Sequence, residues 1–95
     1  MSNAESPAAV MVRLPAILVN MFPGAERRVE LSIHSVEEMI DALDSRWPGM
    51  RACLCDSTPA IRRHINVFVA GRRATLATRL AAGADVFILT AISGG

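Results

Sequence analysis

Apolar positions alternate with polar ones along parts of this chain and recur at helical spacing along another. From Arg28 to Ile33, Val29, Leu31 and Ile33 take one face, which predicts a half-buried strand. From Ile65, Val67 and Val69 alternate with Asn66, Phe68 and Ala70, predicting another. Val86 to Ala91 predicts the last strand. Met11 to Val19, rich in Val, Ile and Leu, predicts the first, with Pro15 marking an edge, a bulge or a break. Met21 to Ala25 reads as a turn, so the first two strands are expected to form a hairpin. Ser35-x-x-Glu38 is a capping box, and Glu37, Glu38 and Asp41 suit the positive end of a helix. Val36, Met39, Ile40, Leu43 and Trp47 then form one apolar stripe, and Pro48-Gly49 ends the helix. The stripe is core, with Trp47 a packing residue. Met50 to Pro59 is a connection with room for one helical turn, Gly71-Arg72-Arg73 and Ala82 to Asp85 are turns, and Thr75 to Leu80 holds a short extended piece.

The order β-β-α-β-β is an α+β plan: a mixed sheet with one main helix packed across one face. If the first and last strands lie side by side in parallel, it is the ubiquitin-like β-grasp. Residues 1–9 are expected to be a disordered segment or tag remnant, residues 10–92 the β-grasp domain, and residues 93–95 a flexible reactive tail.

Ninety-five residues suffice for one domain and one core. A formal net charge of +1 gives no electrostatic reason to expect nucleic acid or a membrane surface. No apolar run has transmembrane length, and residues 1–9 lack the basic and apolar regions of a secretory signal, so the chain reads as cytoplasmic. All ten basic residues are arginine, leaving no side-chain amine to accept an isopeptide bond. Cys53 and Cys55 are too close in sequence to bridge well, and neither His34 nor His64 has zinc-motif spacing to them. They read as small partly buried hydrophobes, and no metal site is expected. The pairs Arg27-Arg28, Arg62-Arg63 and Arg72-Arg73 read as solvated surface able to steer an acidic partner. No nucleophile–base pair, phosphate-binding glycine loop or paired carboxylates mark an independent enzyme.

The candidate chemistry lies at the end of the sequence. On the last strand Val86 and Ile88 point one way, Phe87 and Leu89 the other, and both sets are apolar. One helix covers only one face. Phe87 and Leu89, with Phe68, are therefore expected outside as an apolar patch, which docks a partner or is covered by a loop or a second copy. The sequence closes on Ile92-Ser93-Gly94-Gly95. A carboxylate on Gly95 would be ionised and unreactive at neutral pH until activated, as by attack on the α-phosphate of ATP. Glycine, lacking Cβ, threads a narrow channel in the activating protein.

His64-Ile65-Asn66-Val67-Phe68-Val69-Ala70-Gly71, followed by the run Ala84 to Gly95, resembles the MoaD/ThiS sulfur-carrier family, as does the opening Val12 to Leu18. The match spans roughly residues 11–95, with Thr90 where proline is usual and Ala70 where a polar turn residue is common. The resemblance implies a β-grasp fold and a carrier that is not itself an enzyme. A ubiquitin-activating-type enzyme would adenylate Gly95, consuming ATP; the carrier binds no cofactor. Sulfur would then give a thiocarboxylate that donates to molybdopterin first, or to thiamin thiazole or cysteine. The partners implied are that adenylating enzyme and an acceptor such as a molybdopterin synthase large subunit, thiazole synthase or cysteine synthase. Gly95 would be the reactive group and Gly94 the thread, with Phe68, Phe87, Leu89, Ile92 and Ser93 meeting the partner. The alternatives are a ubiquitin-like modifier conjugated through Gly95 and a docking subunit with an inert tail.

Overall fold

A computed structural model describes residues 9–90. Strand β1 (Ala9–Arg13) is followed by helix α1 (Ala16–Met21), β2 (Arg28–Ser32), helix α2 (Val36–Arg46) and helix α3 (Met50–Leu54). Strands β3 (Ile65–Val69), β4 (Arg72–Arg73) and β5 (Asp85–Thr90) complete the order. The strands form one sheet in the spatial order β2-β1-β5-β3-β4. The pairing β1–β5 is parallel, with Val12 beside Val86 and Arg13 beside Phe87; the other pairings are antiparallel. The sequence condition for a β-grasp is therefore met.

The core lies between this sheet and the helices. Val10, Val12, Val29, Leu31, Val67, Val86 and Ile88 reach it from the strands, and Val36, Met39, Ile40 and Leu43 from α2. The α2 start is built as the capping box suggests: Ser35 Oγ accepts from the Glu38 amide at 3.1 Å. The Glu38 carboxylate reaches back to the amide of His34, one residue before the cap, at 2.9 Å. Trp47 sits at the C-cap and packs against the core half-buried.

Several expectations need correction. Met11 to Val19 is not one strand. Pro15, at φ −73°, ends the extended run and becomes the N-cap of α1, its carbonyl accepting from the amides of Leu18 and Val19. Proline has no amide to offer a sheet ladder but is tolerated where a helix begins. β1 and β2 pair as expected, but across a connection that contains a helix rather than a simple turn. Ala9, assigned to the segment outside the domain, already pairs with Ser32 and accepts from the Gly83 amide. The turn placed at Gly71-Arg72-Arg73 is centred on Ala70 and Gly71, at φ 53° and 81°, so that Arg72 and Arg73 form β4. Two successive positive φ values match the twist of a tight hairpin. Thr75 to Leu80 contains no strand, only a bridge from Arg79 to Ser35.

α3 is the helical turn allowed for between Met50 and Pro59. Asp44 caps it: one carboxylate oxygen accepts from the amides of Gly49 and Arg51, each at 3.0 Å. Gly49 stands at φ +102°, and a Cβ there would lie 3.4 Å from the Phe22 ring, so both backbone and space favour glycine.

Candidate functional site

The sheet presents two faces, and the register aligns residues of one face into rows across the strands. Facing residues in paired strands project to the same side. Arg28 faces Arg13, Arg13 faces Phe87, Phe87 faces Phe68, and Phe68 faces Arg73. This row, Arg28–Arg13–Phe87–Phe68–Arg73, crosses all five strands on the side away from α2. One step nearer the end of β5, Leu89 faces Asn66; one step behind, Met11 lies between Glu30 and Asp85. Phe87 is 42% exposed and Leu89 45%, while Phe68 is half-buried. The expected association of Phe68, Phe87 and Leu89 is thus present in the geometry.

The sequence reading missed the arginines that frame this patch. The Arg13 guanidinium carbon lies 5.1 Å from the centre of the Phe87 ring, within cation–π range. Its Nη2 is 3.8 Å from Asp85 Oδ1, and its Nε is buried with no hydrogen-bond partner among the described residues. Arg13 therefore packs its guanidinium over the ring of Phe87. The dipeptides divide by register: Arg28 and Arg73 flank the patch, while Arg27 bonds the Leu14 carbonyl and Arg72 faces Val69. Alternation along each strand would have revealed this once the strands were aligned.

β5 leads from this patch to Thr90 and on to residues 91–95. Ile92, Ser93, Gly94 and Gly95, the remaining predicted site positions, lie outside the described residues. On the other side of the sheet at the same end, α1 frames an apolar groove of about 380 Å³ with Cys53, His64, Ile65 and Thr90. Ile17 and Met21, each 53% exposed, form its lip. Sequence reasoning missed this groove because it placed Ile17 in a strand.

Cys55 is buried and Cys53 half-buried, and both are free thiols, as the reading of two small hydrophobes supposed. Burial pushes the Cys55 thiol up from its ordinary 9.0, opposed by the nearby Arg51 guanidinium. Among the described residues no helix is long and apolar enough to cross a membrane.

The fold and the patch define a small ubiquitin-like β-grasp protein. No protein-family model and no curated protein matches the chain. Solved structures do. A chain of the Amycolatopsis orientalis BexX/CysO complex superposes with a TM-score of 0.80 at 32% identity, over 90% of this chain and 99% of that one. Mycobacterium tuberculosis CysO gives 0.77 at 28%, over 87% and 99%. SAMP1 from Haloferax volcanii gives 0.77 at 25%, over 93% and 100%. The chain belongs to the MoaD/ThiS family of ubiquitin-like sulfur-carrier proteins.

Proposed function

We propose that this protein carries sulfur on a C-terminal thiocarboxylate at Gly95 and docks its partners through Phe68, Phe87 and Leu89. The observation that carries this reading is the exposure of Phe87 and Leu89 on the strand that runs into residues 91–95. Full burial of one such side chain in a partner is worth about 1.5–3 kcal/mol. Arg13, Arg28 and Arg73 around the patch suit an acidic rim on that partner.

The chemistry follows from the poor reactivity of a carboxylate. A Gly95 oxygen attacks the α-phosphate of ATP in the adenylating enzyme, releasing pyrophosphate and leaving an acyl-adenylate. A hydrosulfide equivalent then attacks the carbonyl carbon, AMP departs, and one oxygen has been exchanged for sulfur. The carrier contributes the acyl group, its thin glycine lead and its docking face; the partner contributes the chemistry. Molybdopterin assembly is the first acceptor in this reading, with thiamin thiazole or cysteine as the others. Intact-protein mass spectrometry after incubation with the host's adenylating enzyme, ATP and a sulfur donor tests it. The expected result is a mass gain of one sulfur for one oxygen, absent when Gly95 is deleted. No gain with an enzyme active on another carrier overturns the reading.

The likeness to SAMP1 favours a second reading, a ubiquitin-like modifier joined through Gly95 to lysines of target proteins. Isopeptide-linked conjugates recovered from native cells would support it. A carrier working only through sulfur leaves none.

A further inference from the structure

Among the described residues the exposed large hydrophobics fall into two pairs, Phe87 with Leu89 and Ile17 with Met21. The second pair is unexplained by the sheet-face patch. Ile17 and Met21 are four apart on α1 and so share one side of the helix, turned toward the groove that Cys53 and Thr90 also line. Thr90, the last described residue, pairs with Ile65 of β3 beyond the reach of β1 and lines the groove, so the groove lies beside the described end of β5. Leu89 and Thr90 point to opposite faces of β5. The described end of β5 is therefore flanked by apolar surface on both sides: Phe87 and Leu89 outside, Ile17 and Met21 inside.

The charge at the groove is one-sided. Arg62 and His64 line it and none of the lining residues is acidic, while on its other side Arg62 borders a hollow that Asp44 and Asp56 line. The Arg62 Nε donates to the Ala52 carbonyl at 2.9 Å, which fixes the side chain, and Arg62 is in no ion pair among the described residues. Asp56 feels its charge from beyond ion-pair distance.

We propose that the α1 groove is a second docking point for the enzyme that receives the tail, filled by an apolar side chain of that enzyme with a carboxylate beside it for Arg62. This rests on the carrier reading above and extends it: a partner that draws residues 91–95 into its active site closes on both sides of the end of β5. One side chain in the groove and one ion pair at its rim bring a second element of the partner into register with the first. An anion in this rim would be steered and oriented by Arg62.

The test is steady-state ATP–pyrophosphate exchange by the host's adenylating enzyme, with the carrier as varied substrate. Met21→Glu places a charge on the groove lip at an exposed position. It is expected to raise KM for the carrier about tenfold, equal to about 1.4 kcal/mol of lost binding, with kcat held. Arg62→Gln is expected to raise KM about threefold and to flatten its dependence on salt. Thermal unfolding of each variant separates docking from folding, and Ile17→Ser, which adds no charge, serves if Met21→Glu unfolds. Wild-type KM in folded Met21→Glu and Ile17→Ser, with Phe87→Glu impaired, overturns the groove proposal and leaves the carrier reading standing. Concentration-dependent dimerisation abolished by Met21→Glu also overturns it, giving the groove to a second copy. A wild-type chain that an active enzyme does not adenylate overturns both.

Discussion

Two neighbouring rows of the sheet differ by a single residue step along each strand. The inner row is Val29–Val12–Val86–Val69, and the outer row is Arg28–Arg13–Phe87–Phe68. Val29, Val12 and Val86 are buried, whereas Arg28 and Phe87 are exposed. Both rows are held by the same backbone ladder, so neither propensity nor pairing explains the difference between them. What differs is the layer each meets. The inner row meets α2, and compact branched side chains fill that space. Among the described residues the outer row meets no further element, and its side chains are larger, aromatic or cationic, the types enriched where one protein binds another. One face holds the fold and the other is free to serve recognition.

The division can be tested by changing adjacent residues of β5. Ile88→Ala removes a side chain that is 1% exposed and is expected to cost about 2–5 kcal/mol in chemical denaturation, with partner affinity intact in whatever fraction stays folded. Phe87→Ser should do the reverse, shifting stability by about 1 kcal/mol or less while weakening binding to the adenylating enzyme about tenfold in a calorimetric titration. Equal effects of the two on stability would erase the distinction. Ser35→Ala acts on the layer that covers the inner row; losing the bond to the Glu38 amide is expected to lower stability by about 1 kcal/mol without altering binding.

The smallest effect contrasts the cysteines, which repeat the inner–outer difference two residues apart. Alkylation followed by mass is expected to label Cys53 first and Cys55 only on unfolding, because burial raises the Cys55 pKa and the thiolate is the reacting form. The sign for stability follows. With the folded pKa raised, the contribution of Cys55 is fully present below pH 9.0 and is lost as pH rises toward the folded value. Cys55→Ser should flatten that alkaline decline.

β2, α2, β3 and β5 were legible because each buries one face against one layer, which imprints a period of two or 3.6. The exposed side of Phe87 and Leu89 followed from the same alternation plus the shortage of helices. α1 was not legible. Ala16 to Met21 is almost uniformly apolar, and a short uniform run carries no period; Pro15 was the one sign that the strand had ended. The groove escaped with it, since its walls come from α1, α3 and two strands whose nearness is a property of the assembled sheet. The arginine row was hidden for the same reason: Arg13, Arg28 and Arg73 are neighbours only after β1, β2 and β4 are placed around β5 and β3.

Among the described residues β5 is the last of five strands, yet it lies in the middle of the sheet, between β1 and β3. β1 and its parallel partner β5 lie more than seventy residues apart in the sequence. In the finished sheet β5 alone joins the β2-β1 pair to the β3-β4 pair. Such distant pairing is slow to form, since the loop must close before any contact rewards it. A chain without β5 therefore lacks the finished apolar patch, because the strand bearing Phe87 and Leu89 is also the strand that joins the two halves. On the proposed reading, the surface by which a partner would recognise the protein is complete only when the sheet is whole.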